Sequence, residues 1–343
     1  MEKNAQIVVT GGTGLLGSYL LRYLTEAGYH HITGVKRPNS PMDLIPESIR
    51  SNIKWVDADI TDIIELEPAI EQADYVFHCA GLVSFLPKDK KELFRVNQEG
   101  TANIVNLCLI HGVKKLVYTS SVAAIGRPQK QEIIHEKTKW ERHDQLTQYA
   151  ISKYLGEMEV WRGNAEGLKT VILNPVTILG GGFWHSGPQK LFNLAWQSFP
   201  YFSNGKTGFV DVRDVAKIHL LAMQSDIDNQ RFILSAENIT FKKLMHDIAE
   251  ALNTTPPHKS INPRLQQLLW RVEKIKSFFR KKAPFLTRET VMMSGQSSEY
   301  DNQKSRIAFH FSYHPIEKTI SEMAALYKIA QSQNQEFSLL ELY

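Results

Sequence analysis

A glycine-rich turn comes directly after an apolar run at the start of the chain. Gln6-Ile7-Val8-Val9-Thr10 leads into Gly11-Gly12-Thr13-Gly14-Leu15-Leu16-Gly17, with Gly11, Gly14 and Gly17 in the spacing Gly-x-x-Gly-x-x-Gly. The run reads as a buried strand, and the segment beyond the glycines as a helix reaching about Ala27. In a strand–turn–helix unit the first glycine permits the tight turn and the second lets backbone approach a pyrophosphate. The third lets the helix, whose N-terminus attracts phosphates, close on the strand. Thr13, Gly14, Leu15 and Leu16, between Gly11 and Gly17, are therefore candidate cofactor contacts. A chain that opens this way is constrained to an α/β fold with a dinucleotide crevice.

The rest of the first half keeps that alternation. Further strands are expected at 31–35, 53–56, 75–79, 115–119 and 170–173, and helices at 63–71, 93–111 and 149–163. Continuous apolar strands alternating with helices imply a Rossmann doubly wound parallel sheet covered on both faces. After Pro175 the pattern loosens into a loop at 180–184, a helical stretch at 191–199, a strand at 208–212 and a helix at 215–224. A returning strand is expected at 231–234, and mainly helix beyond Phe241. The expected organisation is a dinucleotide-binding domain over 1–175 with return elements at about 208–235. A smaller, mainly helical substrate subdomain over 176–207 and 236–343 would lie over the carboxyl edge of the sheet.

Composition narrows the function class. At 343 residues the chain can bury a large core. A net charge of +4, dispersed, does not argue for nucleic acid. Cys79 and Cys108 form neither a disulfide framework nor a metal spacing and read as small buried hydrophobes. The histidines are scattered, so no metal is expected. The first strand begins too near the N-terminus to leave room for a leader, and no apolar run has membrane-spanning length. A soluble cytoplasmic protein is the expectation.

The second strand bears on the cofactor. NAD sites usually carry Asp or Glu near its end. Here it leads into Val35-Lys36-Arg37-Pro38, and Lys36 and Arg37 can pair with an adenosine 2′-phosphate, which favours NADP(H) over NAD(H). Asp59-Ile60, after the third strand, can set a carboxylate against the adenine; helix capping by Asp59 or Thr61 is the other reading. Ala80 and Gly81 are small enough for a cofactor to lie against the backbone.

Tyr149 and Lys153 stand one helical turn apart on one face. An ammonium beside a phenol favours the phenolate, which makes the tyrosine a proton donor and acceptor. Ser120 and Ser121 stand at the end of the fifth strand.

With these residues the chain resembles the extended short-chain dehydrogenase/reductase family, the NAD-dependent epimerase/dehydratases. The motifs run in family order: Thr-Gly-x-x-Gly-x-x-Gly at 10–17, Asp59, His-Cys-Ala-Gly at 78–81, Asn97, Thr-Ser-Ser at 119–121, Tyr149 with Lys153, and Asn174-Pro175. They cover roughly the first 235 residues. More weakly, Pro284-Phe285-Leu286-Thr287 and Lys304 with Tyr313-His314-Pro315 are similar to the ending of the dihydroflavonol reductase and hydroxysteroid dehydrogenase branch. There, Phe311-Ser312 replaces the usual Leu-Gly. The resemblance implies that Tyr149 is the general acid/base and that Lys153 binds the nicotinamide ribose and lowers the tyrosine pKa. Ser121 would polarise the substrate carbonyl, with Ser120 the neighbouring choice. Asn97 would serve active-site water or helix geometry, and Pro175 and Val176 would lie beside the nicotinamide. A homodimer through the helices at 93–111 and 149–163 is common in such proteins.

The leading expectation is an NADP(H)-dependent carbonyl reductase or alcohol dehydrogenase. The alternatives are a nucleotide-sugar epimerase with tightly held NAD and a non-catalytic NADP sensor. Val122-Ala123-Ala124, where dehydratases carry acids, argues against dehydration. Phe85, Leu86, Phe183, Trp184, Phe192, Trp196, Phe199, Tyr201 and Phe202 favour a hydrophobic or ring-containing substrate, with core packing as the other reading. Lys190 and Arg213 are the cations a diphosphate would need, and Asp214 reads as the cap of the helix from Val215. The basic amphipathic segment 265–282 is expected to pack on the subdomain as a solvated helix, with contact to an anionic membrane as the alternative.

Overall fold

In a computed structural model of the chain, residues 1–126, 133–143, 146–261 and 295–343 are described. The segment 265–282 and the Pro284–Thr287 motif lie outside them. Seven parallel strands form the central sheet: β1 (Ile7–Thr10), β2 (Ile32–Lys36), β3 (Lys54–Asp57), β4 (Tyr75–His78), β5 (Lys115–Thr119), and, after the short β6 (Ile133–Ile134) outside it, β7 (Thr170–Pro175) and β11 (Gln230–Leu234). Their order is β11-β7-β5-β4-β1-β2-β3. Side chains alternate between two cores, as period two requires. Ile7, Val9 and Phe77 belong to one; Val8, Val76 and Tyr118 belong to the other. Burial on both faces explains why the strands read as unbroken apolar runs.

Helices cover the two faces. α1 (Leu15–Glu26) packs against the helix Val212–Gln224 on the first core. Gly100–Ile110 packs on the second face against Ile63–Ile70 and Gln148–Ala165. A second sheet runs β12-β10-β8, built from β8 (Thr177–Leu179), β10 (Lys206–Asp211) and β12 (Glu237–Thr240). The short β9 (Tyr201–Phe202) belongs to neither sheet and pairs with Lys259–Ser260. Among the described residues beyond β12 the helices are Phe241–Leu252, Gln303–Ala308 and Ile316–Gln333. No helix among the described residues is long and apolar enough to cross a membrane.

Several expected boundaries shift. The helix expected at 93–111 starts at Lys90 and carries a π-turn, Arg95–Glu99, between Lys90–Phe94 and Gly100–Ile110. β7 continues through Asn174 and Pro175 because both pair with β11, opposite Ile233 and Leu234. The helix expected from Val215 starts at Val212, and its N-cap is Asp211, whose carboxylate accepts from Arg213 N at 2.8 Å; Asp214 falls inside the first turn. Neither Asp59 nor Thr61 caps the helix Ile63–Ile70: Asp62 does, accepting from Ile64 N and Glu65 N. The helical stretch expected at 191–199 ends at Trp196. Cys108 is buried, whereas Cys79 is only half-buried.

Candidate active site

β1 and β4 are neighbours, but the chain leaves them toward opposite sides of the sheet, β1 to β2 and β4 to β5. Such a switch point opens a crevice at the carboxyl ends of the strands. Two glycines shape it. Gly11 has φ +69°, and a Cβ there would lie 2.7 Å from the Ala80 backbone. A Cβ on Gly17 would lie 2.2 Å from Gly11 O. Gly14 is the exposed N-cap of α1 and supplies no side-chain cap. Its N–H donates to Gly11 O at 3.0 Å, and Ser18 N donates to Gly14 O at 2.9 Å. The N–H groups of Leu15, Leu16 and Gly17 are thus the unpaired donors of a helix start, a set that suits a pyrophosphate. Thr13 is half-buried beside them.

At the far end of the crevice the candidates divide. Lys36 is mostly buried and ion-paired with Asp57, its cross-strand partner in register. Arg37 is exposed, and its side chain has no hydrogen bond or ion pair among the described residues. Asp59 accepts from Thr61 N at 2.9 Å and from Thr61 Oγ1 at 2.8 Å. Burial pulls its carboxyl up, but those bonds and the Arg95 and Arg37 charges outweigh it and hold the group below the usual carboxylate range. Ile60 is buried against Gly100, so only its backbone is available; its carbonyl accepts from Asn103 at 3.0 Å. Ala80 is half-buried and Gly81 exposed.

Tyr149 and Lys153 lie on the helix Gln148–Ala165, whose N-cap Thr147 accepts from Ala150 N. The Tyr149 hydroxyl has no hydrogen-bond partner among the described residues, and its ring meets Phe85 edge-on at 5.7 Å. Lys153 is buried and donates to Tyr118 Oη and Thr119 O, both at 2.9 Å. An ammonium has three protons, so one remains. Burial pulls this lysine below its ordinary range, while Tyr149, Glu157 and Cys79 oppose the shift.

The two serines face different ways. Ser120 is buried and donates to Glu157 Oε2 at 2.6 Å. Ser121 accepts from Ala123 N at 3.2 Å as the cap of the short turn Val122–Ala124; its proton has no acceptor among the described residues. Asn174 bridges the two, donating to Ser121 O at 3.0 Å and to Glu157 Oε2 at 2.8 Å. Glu157 also takes Arg231 at 3.0 Å and Trp161 at 3.3 Å. This fully buried carboxylate escaped the sequence reading, although its position, one turn beyond Lys153 on the same face, was a signal.

Asn97 sits in the π-turn. Its Oδ1 accepts from Leu82 N at 2.8 Å, and its Nδ2 donates to Leu82 O and Ser152 Oγ, both at 2.9 Å. It therefore clasps the loop after Gly81 and ties it to the Tyr149–Lys153 helix. Pro175 is buried in β7, and Val176 packs its side chain against Gly208.

The aromatic residues split between core and crevice. Trp184 and Phe192 are fully buried, with ring centroids 4.9 and 6.2 Å from Tyr327, so they are core; Phe85 stays beside Tyr149. Arg213 is 3% exposed and gives four of its five N–H donors to protein groups: to Asp211 at 3.0 and 2.7 Å, to Glu322 at 2.5 Å and to Glu341 O at 3.1 Å. Lys190 is half-buried, and its side chain has no hydrogen bond or ion pair among the described residues. A C-terminal segment, also unforeseen, braces the loop beside α1. Trp184 N donates to Glu336 O at 3.0 Å, Ser338 N to Gly182 O at 3.2 Å, and Leu340 N to Tyr19 Oη at 2.7 Å.

Comparison with known proteins gives a family match, relatives and structures of similar fold. The model of the NAD dependent epimerase/dehydratase family matches residues 7–234. A Synechocystis sp. protein provisionally named a dihydroflavonol 4-reductase is 31% identical over 308 residues, covering 87% of this chain and 87% of its own. Sterol demethylase protein B of Methylococcus capsulatus is 28% identical over 306 residues, covering 87% of this chain and 91% of its own. The solved UDP-glucose 4-epimerase of Thermotoga maritima superposes with a TM-score of 0.78 at 19% identity, over 95% of this chain and 99% of that one, which is a likeness of fold.

Proposed function

We propose that this chain, which belongs to the NAD dependent epimerase/dehydratase family, is an NADP(H)-dependent oxidoreductase. In this reading it reduces a carbonyl, or oxidises an alcohol, of a hydrophobic or ring-containing small molecule. The observation that carries it is the arrangement of Tyr149, Lys153 and Ser121. A tyrosine hydroxyl and a serine proton are without partners among the described residues, and a buried ammonium keeps one proton to give. Bound in the crevice, the nicotinamide would supply the hydride. Tyr149 would give its proton to the carbonyl oxygen, and Ser121 would donate a hydrogen bond to the same atom as charge grows there. The Lys153 ammonium would meet the ribose hydroxyls and stabilise negative charge on Tyr149. Leu15, Leu16 and Gly17 would hold the pyrophosphate, with Pro175 and Val176 beside the nicotinamide.

NADP(H) is the preferred cofactor in this reading because Arg37 is exposed and unpaired among the described residues, while the residues just after β2 include no acid to hold a ribose hydroxyl. Lys36 contributes less, since Asp57 already neutralises it. A substrate of low polarity is supported by Arg213, which is buried, paired with Asp211 and Glu322, and gives four of its five donors to protein groups. The reductase name of the Synechocystis sp. relative points the same way. The division into a dinucleotide-binding part and a substrate subdomain over 176–207 and 236–343 belongs to this proposal, as do a cytoplasmic location and a homodimer.

The epimerase reading stays in view because of the fold likeness to the UDP-glucose 4-epimerase and because the Lys190 ammonium has no partner among the described residues. Equilibrium binding of NADPH and NADH tests the cofactor. Turnover with steroids, flavanonols, simple aldehydes and UDP-sugars then separates the reactions. Tighter NADPH binding and NADPH oxidation coupled to carbonyl loss are expected. Epimerisation of a UDP-sugar without net cofactor oxidation would overturn the reductase reading.

A further inference from the structure

We propose that Tyr118 is a positioning residue for Lys153: its hydroxyl, backed by Thr101 in the first turn of the helix Gly100–Ile110, holds the ammonium in place beneath the Tyr149 phenol. The proposal builds on the hydride-transfer reading above. It starts from a closed chain of buried groups that the reaction does not itself use. Ala80 N donates to Thr10 Oγ1 at 3.3 Å, and Thr10 Oγ1 lies 2.7 Å from His78 Nδ1. His78 Nε2 lies 3.1 Å from Thr101 Oγ1, which donates to Asn97 O at 2.8 Å. Tyr118 lies against this chain, its ring stacked on His78 with centroids 5.3 Å apart, and receives the Lys153 ammonium at 2.9 Å.

The proton directions are set by the acceptors. Burial holds His78 neutral, with its pKa pulled down to about 3, so its ring carries one proton. Thr101 spends its own proton on Asn97 O, so its oxygen accepts from His78 Nε2 and, in this proposal, is also the group to which Tyr118 turns its proton. Tyr118 therefore turns its lone pairs to Lys153. In this arrangement every member of the chain is satisfied, which is what fixes a buried polar network in one geometry.

Close packing sets the distance. A Cβ on Gly156 would lie 2.1 Å from Asn97 O and 2.9 Å from Tyr118 Oη, so only glycine lets the Lys153 helix settle onto the π-turn and the tyrosine. The ammonium also lies 4.5 Å from the Tyr118 ring centroid. The other groups facing Lys153 are Tyr149 and Glu157 on its own helix and His78 and Cys79 at the end of β4.

The test reads Lys153 directly, without substrate. The protein is labelled with ε-13C-lysine, the resonance is assigned with Lys153→Arg, and the lysine is titrated in wild type, Tyr118→Phe, Thr101→Val and Thr101→Ser. Losing an acceptor disfavours the charged form, so the Lys153 midpoint falls by about one unit in Tyr118→Phe. A smaller fall is expected in Thr101→Val, and none in Thr101→Ser, which keeps the hydroxyl. Should Tyr118→Phe fail to fold, Thr101→Val against Thr101→Ser decides by the same criterion. A midpoint equal to wild type in folded Tyr118→Phe, or in folded Thr101→Val, overturns the proposal. An unreactive carbonyl panel would instead overturn the reductase reading and leave this titration standing.

Discussion

Ser120 donates its hydroxyl to the buried Glu157 carboxylate at 2.6 Å, whereas Ser121, its neighbour, is left with an unspent proton among the described residues. Two adjacent serines thus carry separate loads, one in the scaffold and one toward the crevice. Ser121→Ala is expected to lower kcat about 100-fold, the cost of one donor to a developing oxyanion, with little change in unfolding midpoint. Ser120→Ala is expected to do the reverse. It loses a charge-assisted hydrogen bond, about 2 kcal/mol of stability in urea unfolding, while kcat changes less. Equal kcat losses in the two variants would contradict the division.

Arg37 and Lys36 separate in the same manner. Lys36 is held by Asp57, and Arg37 is exposed at the end of β2. Arg37→Ala is expected to weaken NADPH binding about tenfold, roughly 1.4 kcal/mol, and to leave NADH binding near wild type. Fluorescence titration with each nucleotide measures it. A parallel loss for both would mean that Arg37 does not meet the 2′-phosphate.

Acid stability should carry two opposing signatures. Burial pulls the fully buried His78 and His219 down from 6.5 to about 3 and about 4. The unfolded state binds those protons first, so the stability they contribute is present above 6.5 and is lost as pH falls toward their folded values. Asp214 works the other way. Burial raises it from 3.8 to about 6, so its contribution is full below 3.8 and is lost as pH rises through about 6. Asp214→Asn removes only the second signature. The urea midpoint of the variant is therefore expected to fall further than that of wild type between about pH 7 and about pH 5. A larger fall in wild type would contradict the assignment.

The parts of the site that depend on spacing were readable from the residues. Gly11 and Gly17 are required by backbone approach, and Tyr149 and Lys153 share a helix face, so neither needs tertiary knowledge. What depends on distant partners was not readable. Tyr118 looks like any apolar-strand tyrosine until the π-turn and Gly156 bring Lys153 onto it. No residue type in 93–111 marks the π-turn, so that stretch reads as one helix. Trp184 and Phe192 pass for pocket residues because Tyr327, which seals them into the core, lies far along the chain. Asp211 and Asp214 are equally good caps by composition, and only the end of β10 decides between them.

The central claim is that Tyr149 protonates a carbonyl reduced in this crevice. The most direct measurement is steady-state NADPH oxidation by wild type and Tyr149→Phe, with carbonyl loss followed in the same reaction and NADPH binding measured alongside. The account predicts stoichiometric carbonyl reduction by wild type. For Tyr149→Phe it predicts a fall in kcat of about 1000-fold, with NADPH binding retained. Undiminished turnover in Tyr149→Phe would contradict it.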